Sequence, residues 1–322
     1  MASIQAVQDA MRIDPAAVAG RIEDFIRTAL DGFERDGVIL GMSGGIDSAL
    51  VASLACRAIG PQRVHALLLP ERDSSPDSKT DALLEIERLG ISYREVDLVP
   101  MLKPLGIYRL IPLRLLGLRR FKAAVVQQQH RAQARALGEM PFRAGLLGTR
   151  KLGDEKQLID AGNAYARVKH RMRMLTLYYY ADLENLLMLG TTNRSEAMTG
   201  FVVKWGDNVA DIEPIQPLYK TQVRQLSRYL GVSQPVLDKA PSPDLIPGIV
   251  DTVAMGIEYE TLDRIHWGMD QGWDAERIAT TVGASAEQVE NVRGMRARSE
   301  HLRTLPPVPD LGPLVRRGPE GA

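Results

Sequence analysis

The sequence predicts an α/β fold built on a doubly wound parallel sheet. Short apolar runs of strand length alternate with segments of helical periodicity, an order that parallel strands joined by crossover helices produce. Glycine and proline separate these segments, as is typical of turns between regular elements. The 322 residues suit one large domain, and a content of 45% apolar and 25% charged residues is ordinary for a globular protein.

Each element follows from its own pattern. Apolar side chains at helical spacing predict the first helix, and short apolar runs before turn residues predict the strands. The predicted strands are 38–40, 64–69, 93–98 and 186–189. The predicted helices are 16–35, 48–59, 78–89, 163–184 and 221–230, followed by a mostly helical C-terminal tail, 256–322. Glycine and proline make residues 200–219 a predicted loop.

Charge is balanced over the whole chain and uneven along it. Forty basic and forty acidic residues give a net charge of zero, which argues against a nucleic-acid partner for the chain as a whole. Residues 101–156 contain twelve basic and three acidic residues, a net charge of +9, so the other 266 residues carry −9. We interpret 101–156 as a basic, mostly helical insert in a single domain spanning 1–322.

Three roles for this insert remain open. It would cover an anionic substrate as a lid or specificity element, contact another subunit or partner protein, or contact a membrane surface or nucleic acid.

Cys56 is the only cysteine, which excludes an internal disulfide framework. The sequence has no membrane-spanning apolar run and no signal-peptide pattern, so we expect a cytoplasmic protein.

A glycine-rich loop follows the first predicted strand, with the sequence Ser43-Gly44-Gly45-Ile46-Asp47-Ser48. Ligands of open parallel sheets bind beyond the carboxyl ends of the strands. The glycines allow close approach to an anion, and the following helix offers free N–H groups. Asp47 is suited to hold Mg²⁺ beside a phosphate. The pattern therefore predicts a phosphate site.

Two other functions compete with this interpretation. Gly41-Met42-Ser43-Gly44-Gly45 also fits the nucleophile turn of α/β hydrolases, with Ser43 as nucleophile, although that leaves Asp47 and Ser48 unexplained. Residues 275–292 have a residue pattern similar to that of a DNA-binding helix-turn-helix motif. Their charge is acidic or neutral, which argues against DNA binding.

A second polar motif, Gly190 to Glu196, follows the fourth predicted strand and so lies at the same edge of the sheet. The two motifs together resemble the NAD synthetase family, ammonia-dependent type, within the N-type ATP pyrophosphatases. The resemblance continues in ordered segments over about 20–100 and 160–310. These segments are 171–174, 200–207, 211–215, 218–224, 241–245, 299–301 and 306–309.

The resemblance implies a fold and a set of site residues. The fold is the ATP-pyrophosphatase, or adenine nucleotide alpha-hydrolase-like, type. Asp47 and Lys220 would be catalytic, and Asp47 and Glu196 would hold Mg²⁺. The residues expected to bind ATP are Gly41, Ser43, Gly44, Gly45, Asp47, Ser48, Thr191, Lys220 and Ser242. Those expected to bind the acceptor acid are Arg171, Arg173, Lys204, Asp207, Asp211 and His301.

The implied reaction is the ATP-dependent amidation of nicotinic acid adenine dinucleotide (deamido-NAD) to NAD. Ammonia would displace AMP from an acyl-adenylate after pyrophosphate has left. The chain is too short for the additional glutaminase domain of longer relatives, which implies free ammonia or a separate donor protein. The resemblance also implies a homodimer.

The acceptor side departs from the family pattern. Ile249, Val250 and Leu302 stand where the family has polar residues, and Arg167 stands where asparagine is common. The same adenylation chemistry on a different carboxylate is therefore the main alternative.

Overall fold

The computed structural model describes residues 4–110, 119–242, 244 and 249–310, and of residues 119–123 it describes the backbone alone. Four strands form one parallel sheet in the order β3-β2-β1-β4. Their bounds are β1 Gly37–Gly41, β2 Val64–Leu68, β3 Ser92–Glu95 and β4 Leu186–Met188. The four predicted strands are confirmed. The third ends earlier than predicted because the chain turns after Glu95 towards the helix Val99–Leu102.

The helices of the described residues precede, connect and follow the strands. In chain order they are α1 Ile4–Ala10, α2 Pro15–Gly32, α3 Ile46–Ile59, α4 Pro76–Leu89, α5 Val99–Leu102, α6 Ile107–Leu110, α7 Arg119–Leu137, α8 Pro141–Ala144, α9 Lys156–Leu183, α10 Arg194–Thr199, α11 Lys220–Tyr229, α12 Gln234–Asp238, α13 Asp251–Met255, α14 Tyr259–Asp270, α15 Ala275–Val282, α16 Ala286–Arg298 and α17 Glu300–Arg303. None of these helices is both long and apolar enough to cross a membrane.

Helices cover both faces of the sheet, which confirms the doubly wound prediction. Side chains alternate along β1. Val38 and Leu40 belong to a core formed with α2, α3 and α11, whereas Ile39 belongs to a second core formed with α9. Each face of the sheet therefore has its own apolar layer of helices.

The order of the strands creates a crevice beside β1. The chain builds β1, β2 and β3 in one direction and then returns to place β4 on the other side of β1. The loops that follow β1 and β4 therefore diverge at the carboxyl ends of these two strands. This switch in direction is where open parallel sheets bind their ligands.

A third core lies among the C-terminal helices. It includes Leu262 and Ile265 of α14 and Val289 and Val292 of α16, and Val7 of α1 packs into it. Helices occupy much of the described part of the predicted tail 256–322, whose residues 311–322 lie outside the described residues.

The predicted insert, 101–156, contains the helices α6, α7 and α8, and its residues 111–118 lie outside the described residues. Its later part packs on the C-terminal helices. Arg298 donates a hydrogen bond to Glu139 at 3.1 Å, Met140 lies against Gly256, and Leu146 joins the third core.

Candidate active site

The loop after β1 makes a close approach that only glycine permits. Gly44 has a φ of +70°, and a Cβ atom there would lie 2.1 Å from the backbone oxygen of Ser78 in α4. An L-residue at this position would be strained and would also clash with backbone. Gly44 therefore lets the loop fold down against the start of α4.

The same loop leaves the start of α3 open to an anion. Gly45 precedes α3 and provides no side-chain cap, so the first N–H groups of the helix have no capping side chain. Ser43 and Ser48 brace the loop, because their hydroxyl oxygens lie 3.2 Å apart and the Ser43 hydroxyl accepts the Gly45 N–H. A helix start with free N–H groups and a positive dipole end is suited to phosphate.

Three charged side chains meet beside this loop. The Nζ atom of Lys220 lies 2.5 Å from Oδ2 of Asp47 and 3.0 Å from Oε1 of Glu196. Asn193, which caps α10, donates to the other oxygen of Asp47 at 3.0 Å. The motifs after β1 and β4 therefore come together, as their positions at adjacent strand ends predict.

Carboxyl groups outnumber ammonium groups at this cluster. Asp251 of α13 lies close enough to raise the pKa of Glu196 and is itself buried. The pKa of Glu196 is raised to about 8 by burial and, to a smaller extent, by Asp47 and Asp251, against the lowering effect of Lys220. Burial lowers the pKa of Lys220, but Asp47 and Glu196 outweigh it and hold that pKa above its ordinary value. Three carboxyl groups thus face one ammonium group.

A cavity of about 400 Å³ opens above these residues. Most of the residues predicted for ATP line it, together with two of those predicted for the acceptor acid. The predicted residues that line the cavity are Gly41, Ser43, Gly45, Asp47, Ser48, Thr191, Glu196, Lys220, Ser242, Arg173 and Asp207. Gly44 is the predicted ATP-loop residue that shapes the loop without lining the cavity.

The other four predicted acceptor residues lie away from the cavity lining and bond mainly to backbone. Arg171 donates to the carbonyl of Lys204 at 3.3 Å, and Lys204 donates to the carbonyls of His301 and Thr304. Asp211 accepts the Met188 N–H at 2.8 Å. His301 is exposed, and its Nδ1 lies 2.9 Å from the carbonyl oxygen of Arg298.

Sequence reasoning missed several polar residues at the cavity. Asp251 lines it, and so does Lys239, which bonds to the Gly44 carbonyl at 3.2 Å and to Asp81 at 2.8 Å. One signal for Asp251 was present in the sequence, because this acidic residue directly follows Ile249 and Val250, which stand where the family has polar residues. Lys239 follows no motif that the sequence offered.

A buried charge cluster supports the loop after β2 and was also missed. Lys169 of α9 is fully buried and lies 2.9 Å from Glu71 and 3.0 Å from Asp73. Tyr165 donates to Asp73, and Tyr108 donates to Glu71 at 3.2 Å. This cluster fixes the loop whose next residues, Ser74 and Ser75, line the cavity.

The geometry offers no support for Ser43 as a hydrolase nucleophile. The hydrogen bonds of the Ser43 hydroxyl among the described residues are to Ser48 and to the Gly45 N–H. A nucleophilic serine needs a base within hydrogen-bonding distance. His170, which lines the cavity, lies 3.5 Å from Asp207, and burial lowers its pKa.

The proposed DNA-reading helices are structural in this fold. The apolar face of α16 is buried in the third core through Val289, Val292 and Met295, and α15 contributes Ile278 and Val282. The exposed face of α16 carries Glu287 and Glu290 as well as basic residues. Acidic side chains on the exposed helix oppose a DNA backbone.

Within the described residues, no three His, Cys, Asp or Glu side chains form a group with the arrangement of a metal site. Mg²⁺ needs less than that from a protein, because it takes one or two carboxylates and completes its shell with phosphate oxygens and water. Asp47 and Glu196 share one ammonium group, and Asp251 brings a third carboxyl group close to them. These residues therefore fit a divalent cation bound together with a phosphate ligand.

Comparison with known proteins assigns the chain to a family. The family model described as NAD synthase matches residues 18–108 and 144–306. The chain belongs to the NAD synthase family. This assignment confirms the predicted family and the predicted fold class. It also confirms the predicted enzyme class, which is a ligase that forms carbon–nitrogen bonds. ATP is a substrate in this family. The family match leaves 109–143 unmatched, a shorter stretch than the predicted insert.

The individual relatives agree with this assignment. An NH(3)-dependent NAD(+) synthetase of Coprothermobacter proteolyticus is 43% identical over 80% of this chain and 86% of its own. Another from Thermotoga maritima is 42% identical over 88% of this chain and 96% of its own. The solved NMN synthetase from Francisella tularensis superposes with a TM-score of 0.66 at 28% identity, covering 93% of this chain and all of that one.

Proposed function

We propose that this NAD synthase family member converts nicotinic acid adenine dinucleotide to NAD with ammonia, forming an acyl-adenylate and releasing AMP and pyrophosphate. One observation carries the proposal. Lys220, Asp47 and Glu196 converge within 3.0 Å beneath a glycine-rich loop at the β1/β4 crevice. That arrangement suits phosphoryl chemistry, and the relatives named above are ammonia-dependent NAD synthetases.

The loop and Lys220 would act on the ATP phosphates. Pyrophosphate would bind against the N–H groups at the start of α3, between Ser43 and Ser48. The carboxylate oxygen of the acceptor forms a bond to the α-phosphorus as the bond to the bridging oxygen breaks. Lys220 would stabilise the negative charge that develops on the phosphoryl oxygens. Ammonia then forms a bond to the acyl carbon, AMP leaves, and the nitrogen loses a proton.

Asp47 and Glu196 are the residues we propose to hold Mg²⁺. The ion would neutralise phosphate charge and orient the leaving group when it is bound. Lys220 keeps the two carboxylates together until ATP arrives, because it bonds to both. Asp251, which accepts a hydrogen bond from the hydroxyl of Tyr259 at 2.8 Å, supplies a third carboxyl group that a bound cation would favour in its ionised form.

The acceptor acid would bind towards the loop 200–211 and the C-terminal tail. Arg173 and Asp207 line the cavity, and the remaining predicted residues, Arg171, Lys204, Asp211 and His301, lie along the adjoining loop and tail. Arginine and lysine suit the pyrophosphate of a dinucleotide. We propose that these side chains exchange their bonds to backbone carbonyls for bonds to this substrate.

The same chemistry on a smaller carboxylate is the second candidate. One solved structure that superposes on this chain is named an NMN synthetase, and NMN is a mononucleotide. Val203, Ile249, Val250 and Leu302 are apolar positions on the acceptor side of this chain. An acceptor side with fewer polar groups would favour an acceptor acid that lacks the adenylate half of the dinucleotide.

An acceptor screen tests both candidates. The protein is incubated with ATP, Mg²⁺, ammonium and one acid at a time, and AMP is measured. We expect the highest kcat/KM with the dinucleotide acid. A higher value with the mononucleotide acid would replace the first candidate by the second, and AMP release with neither acid would contradict both.

We also propose that the chain forms a homodimer through α9. Leu175, Tyr179 and Leu183 recur four residues apart on this helix and are each about 60% exposed. An exposed apolar stripe on a long helix is typical of a subunit contact. Light scattering tests this: a dimer is expected, and Tyr179→Glu should yield monomers.

A further inference from the structure

Among the described residues, five with basic side chains line the cavity of the candidate active site. Four of them have a carboxylate within 3.5 Å, and these four are Lys79, His170, Lys220 and Lys239. The fifth is Arg173, which has neither a hydrogen bond nor an ion pair with any part of the chain that the structure describes. Its guanidinium group therefore has all of its N–H donors available for an anion.

The surroundings of Arg173 leave this guanidinium group unsatisfied. Burial lowers the pKa of Arg173, whereas the nearby carboxylates of Glu71, Asp244 and Asp207 act in the opposite direction. Each of these carboxylates bonds to another group. Their partners are the ammonium group of Lys169 for Glu71, the N–H of Ser75 for Asp244 and the N–H of Val203 for Asp207. A partly buried charge without hydrogen bonds is unfavourable, and an anionic ligand would satisfy it.

One face of α9 runs along the cavity. The residues of α9 that line the cavity recur at spacings of three and four, as residues on one helical face do, and they are His170, Arg173, Met174 and Leu177. Arg171 lies on another face of the helix, where it is exposed and donates to the carbonyl of Lys204 at 3.3 Å. Arg171 and Arg173 were both predicted to bind the acceptor acid, but the structure places only Arg173 at the cavity.

The two ends of this helical face contact different parts of the site. At one end, a Cβ atom on Gly41 would lie 3.5 Å from Cδ1 of Leu177, so Leu177 lies where β1 enters the glycine-rich loop. At the other end, a Cβ atom on Gly206 would lie 3.0 Å from the Cβ atom of His170. Arg173 lies between these two contacts on the same face. It is therefore placed between the loop proposed for the ATP phosphates and the loop proposed for the acceptor acid.

We propose that Arg173 is a catalytic residue of the adenylation step, which binds the α-phosphate of ATP and keeps it bound in the acyl-adenylate. This inference rests on the proposed function and gives Arg173 a specific place in it. The α-phosphate joins the two substrates in the acyl-adenylate, so it must lie between their two sites. A guanidinium group offers paired N–H donors that match two phosphate oxygens.

Arg173 would act in this step without gaining or losing a proton. A carboxylate oxygen of the acceptor forms a bond to the α-phosphorus, the bond from that phosphorus to the bridging oxygen breaks, and pyrophosphate leaves with the electron pair. Hydrogen bonds from Arg173 to the oxygens of the α-phosphate would stabilise this transition state. Lys220 has to share its ammonium group with Asp47 and Glu196, whereas Arg173 has no carboxylate to give up.

Arg173→Met is the main test, with the two proposed products as probes. AMP carries the α-phosphate, whereas pyrophosphate carries only the phosphates that leave. Methionine removes the guanidinium group and keeps an unbranched side chain on α9. Titration calorimetry with Mg²⁺ gives the Kd of each product. We expect the Kd for AMP to rise about tenfold or more, because a charged hydrogen-bonded pair is lost, and the Kd for pyrophosphate to stay within about twofold of wild type.

The adenylation rate is the second readout. Without ammonium, the acceptor acid should let the protein exchange labelled pyrophosphate into ATP, which reports that step alone. We expect Arg173→Met to lower the exchange rate at saturating substrates by roughly tenfold or more, and Arg173→Lys to lower it less, because lysine keeps the charge without the paired donors. Arg228→Met, at an exposed arginine of α11 away from the cavity lining, is the matched control and should leave both readouts unchanged. Thermal melts establish that each variant is folded.

The outcomes separate the two proposals. If wild-type protein forms no AMP and exchanges no pyrophosphate with either acid, the proposed function itself is wrong. If wild type is active and folded Arg173→Met keeps its Kd for AMP and its exchange rate, the inference about Arg173 is overturned. A rise in the KM for the acceptor acid alone, or equal losses of affinity for AMP and pyrophosphate, would overturn it as well. Should Arg173→Met fail to fold, Arg173→Lys decides on the same criteria.

Discussion

The candidate site has two sides that are built in different ways: the side proposed to bind phosphate, here the phosphate side, and the side proposed to bind the acceptor acid, here the acceptor side. On the phosphate side, Asp47 and Glu196 follow adjacent parallel strands and meet at Lys220 within 3.0 Å. On the acceptor side, Lys204 lies on a loop and His301 lies on the C-terminal tail. The side chain of Lys204 donates to the backbone carbonyl of His301. Sheet topology alone brings the two carboxylates of the phosphate side together, whereas the acceptor side depends on how the C-terminal helices pack.

The largest effect is expected from Asp47→Ala on the phosphate side. This change removes a carboxylate that bonds to both Lys220 and Asn193 and that we propose to hold Mg²⁺. We expect AMP formation to fall by roughly 100-fold or more, since such charge stabilisation is worth several kcal/mol. Steady-state AMP release at saturating Mg²⁺ measures the loss.

Asp77→Ala is the matched control for that experiment. Asp77 also lies in the first turn of a helix, α4, but is exposed and does not line the cavity. We expect it to retain activity close to wild type. An Asp47→Ala protein that is as active as Asp77→Ala would show that the phosphate side is not where the chemistry takes place.

The next largest effect is expected from Gly44→Ala. The new Cβ atom would lie 2.1 Å from the Ser78 backbone oxygen, so the phosphate loop must shift. Gly90→Ala is the control, because Gly90 has a similar φ of +65° with open space around it. Both lose about 1 kcal/mol or more of stability to backbone strain. Only Gly44→Ala should also raise the KM for ATP, by roughly tenfold or more, and equal KM values in the two variants would contradict the close-approach argument.

The sequence predicted for a physical reason that the motifs after β1 and β4 lie together. An apolar run followed by glycines defines a strand end, and two such ends in a parallel sheet must lie at the same edge. Asp47, Thr191 and Glu196 therefore needed no tertiary information to be placed together. Lys220 came from the family resemblance, and the structure places it between the two carboxylates.

The sequence predicted much less where helix packing decides the position. Asp251 reaches the cavity because α13 lies beside it, and its one signal in the sequence comes from the family resemblance, since no periodic pattern marks that contact. Lys169, in a helix with polar neighbours, looks like a solvated residue in the sequence but is fully buried against Glu71 and Asp73. Partners that are about 100 residues apart leave no periodic signal.

Lys204→Met tests the acceptor side with a smaller expected effect. If Lys204 exchanges its carbonyl partners for the substrate, the loss of one charged hydrogen bond of about 1.5–3 kcal/mol should raise the KM for the acceptor acid by roughly tenfold or more. The KM for ATP should stay unchanged. Lys103→Met, at an exposed lysine of the insert, is the control. A rise in both KM values would indicate that Lys204 acts by holding the tail in place.

The smallest effect on activity is expected where the two sides are joined. Asp270 bonds to Tyr219, which precedes Lys220, and to Arg296 of α16 at 2.8 Å, so it links the phosphate side to the C-terminal helices. His266 is fully buried near Asp270 and Arg194, and both of its ring nitrogens lack partners among the described residues. Burial, aided by Arg296, Arg194 and Arg303 and opposed by Asp270, lowers its pKa to about 3.

His266→Leu should therefore change acid stability and leave both KM values at neutral pH as they are. The unfolded chain binds a proton on this imidazole below its ordinary pKa of 6.5, whereas the folded chain does so only below about 3. Wild-type protein should lose up to about 1.4 kcal/mol of unfolding free energy per pH unit across this window through His266 alone. Urea titrations from pH 7 to pH 4 should show a flatter decline for the leucine variant, because leucine cannot take up the proton. Parallel declines would mean that the imidazole is protonated equally in both states, and a raised KM for either substrate would mean that this junction positions the site as well as holding it together.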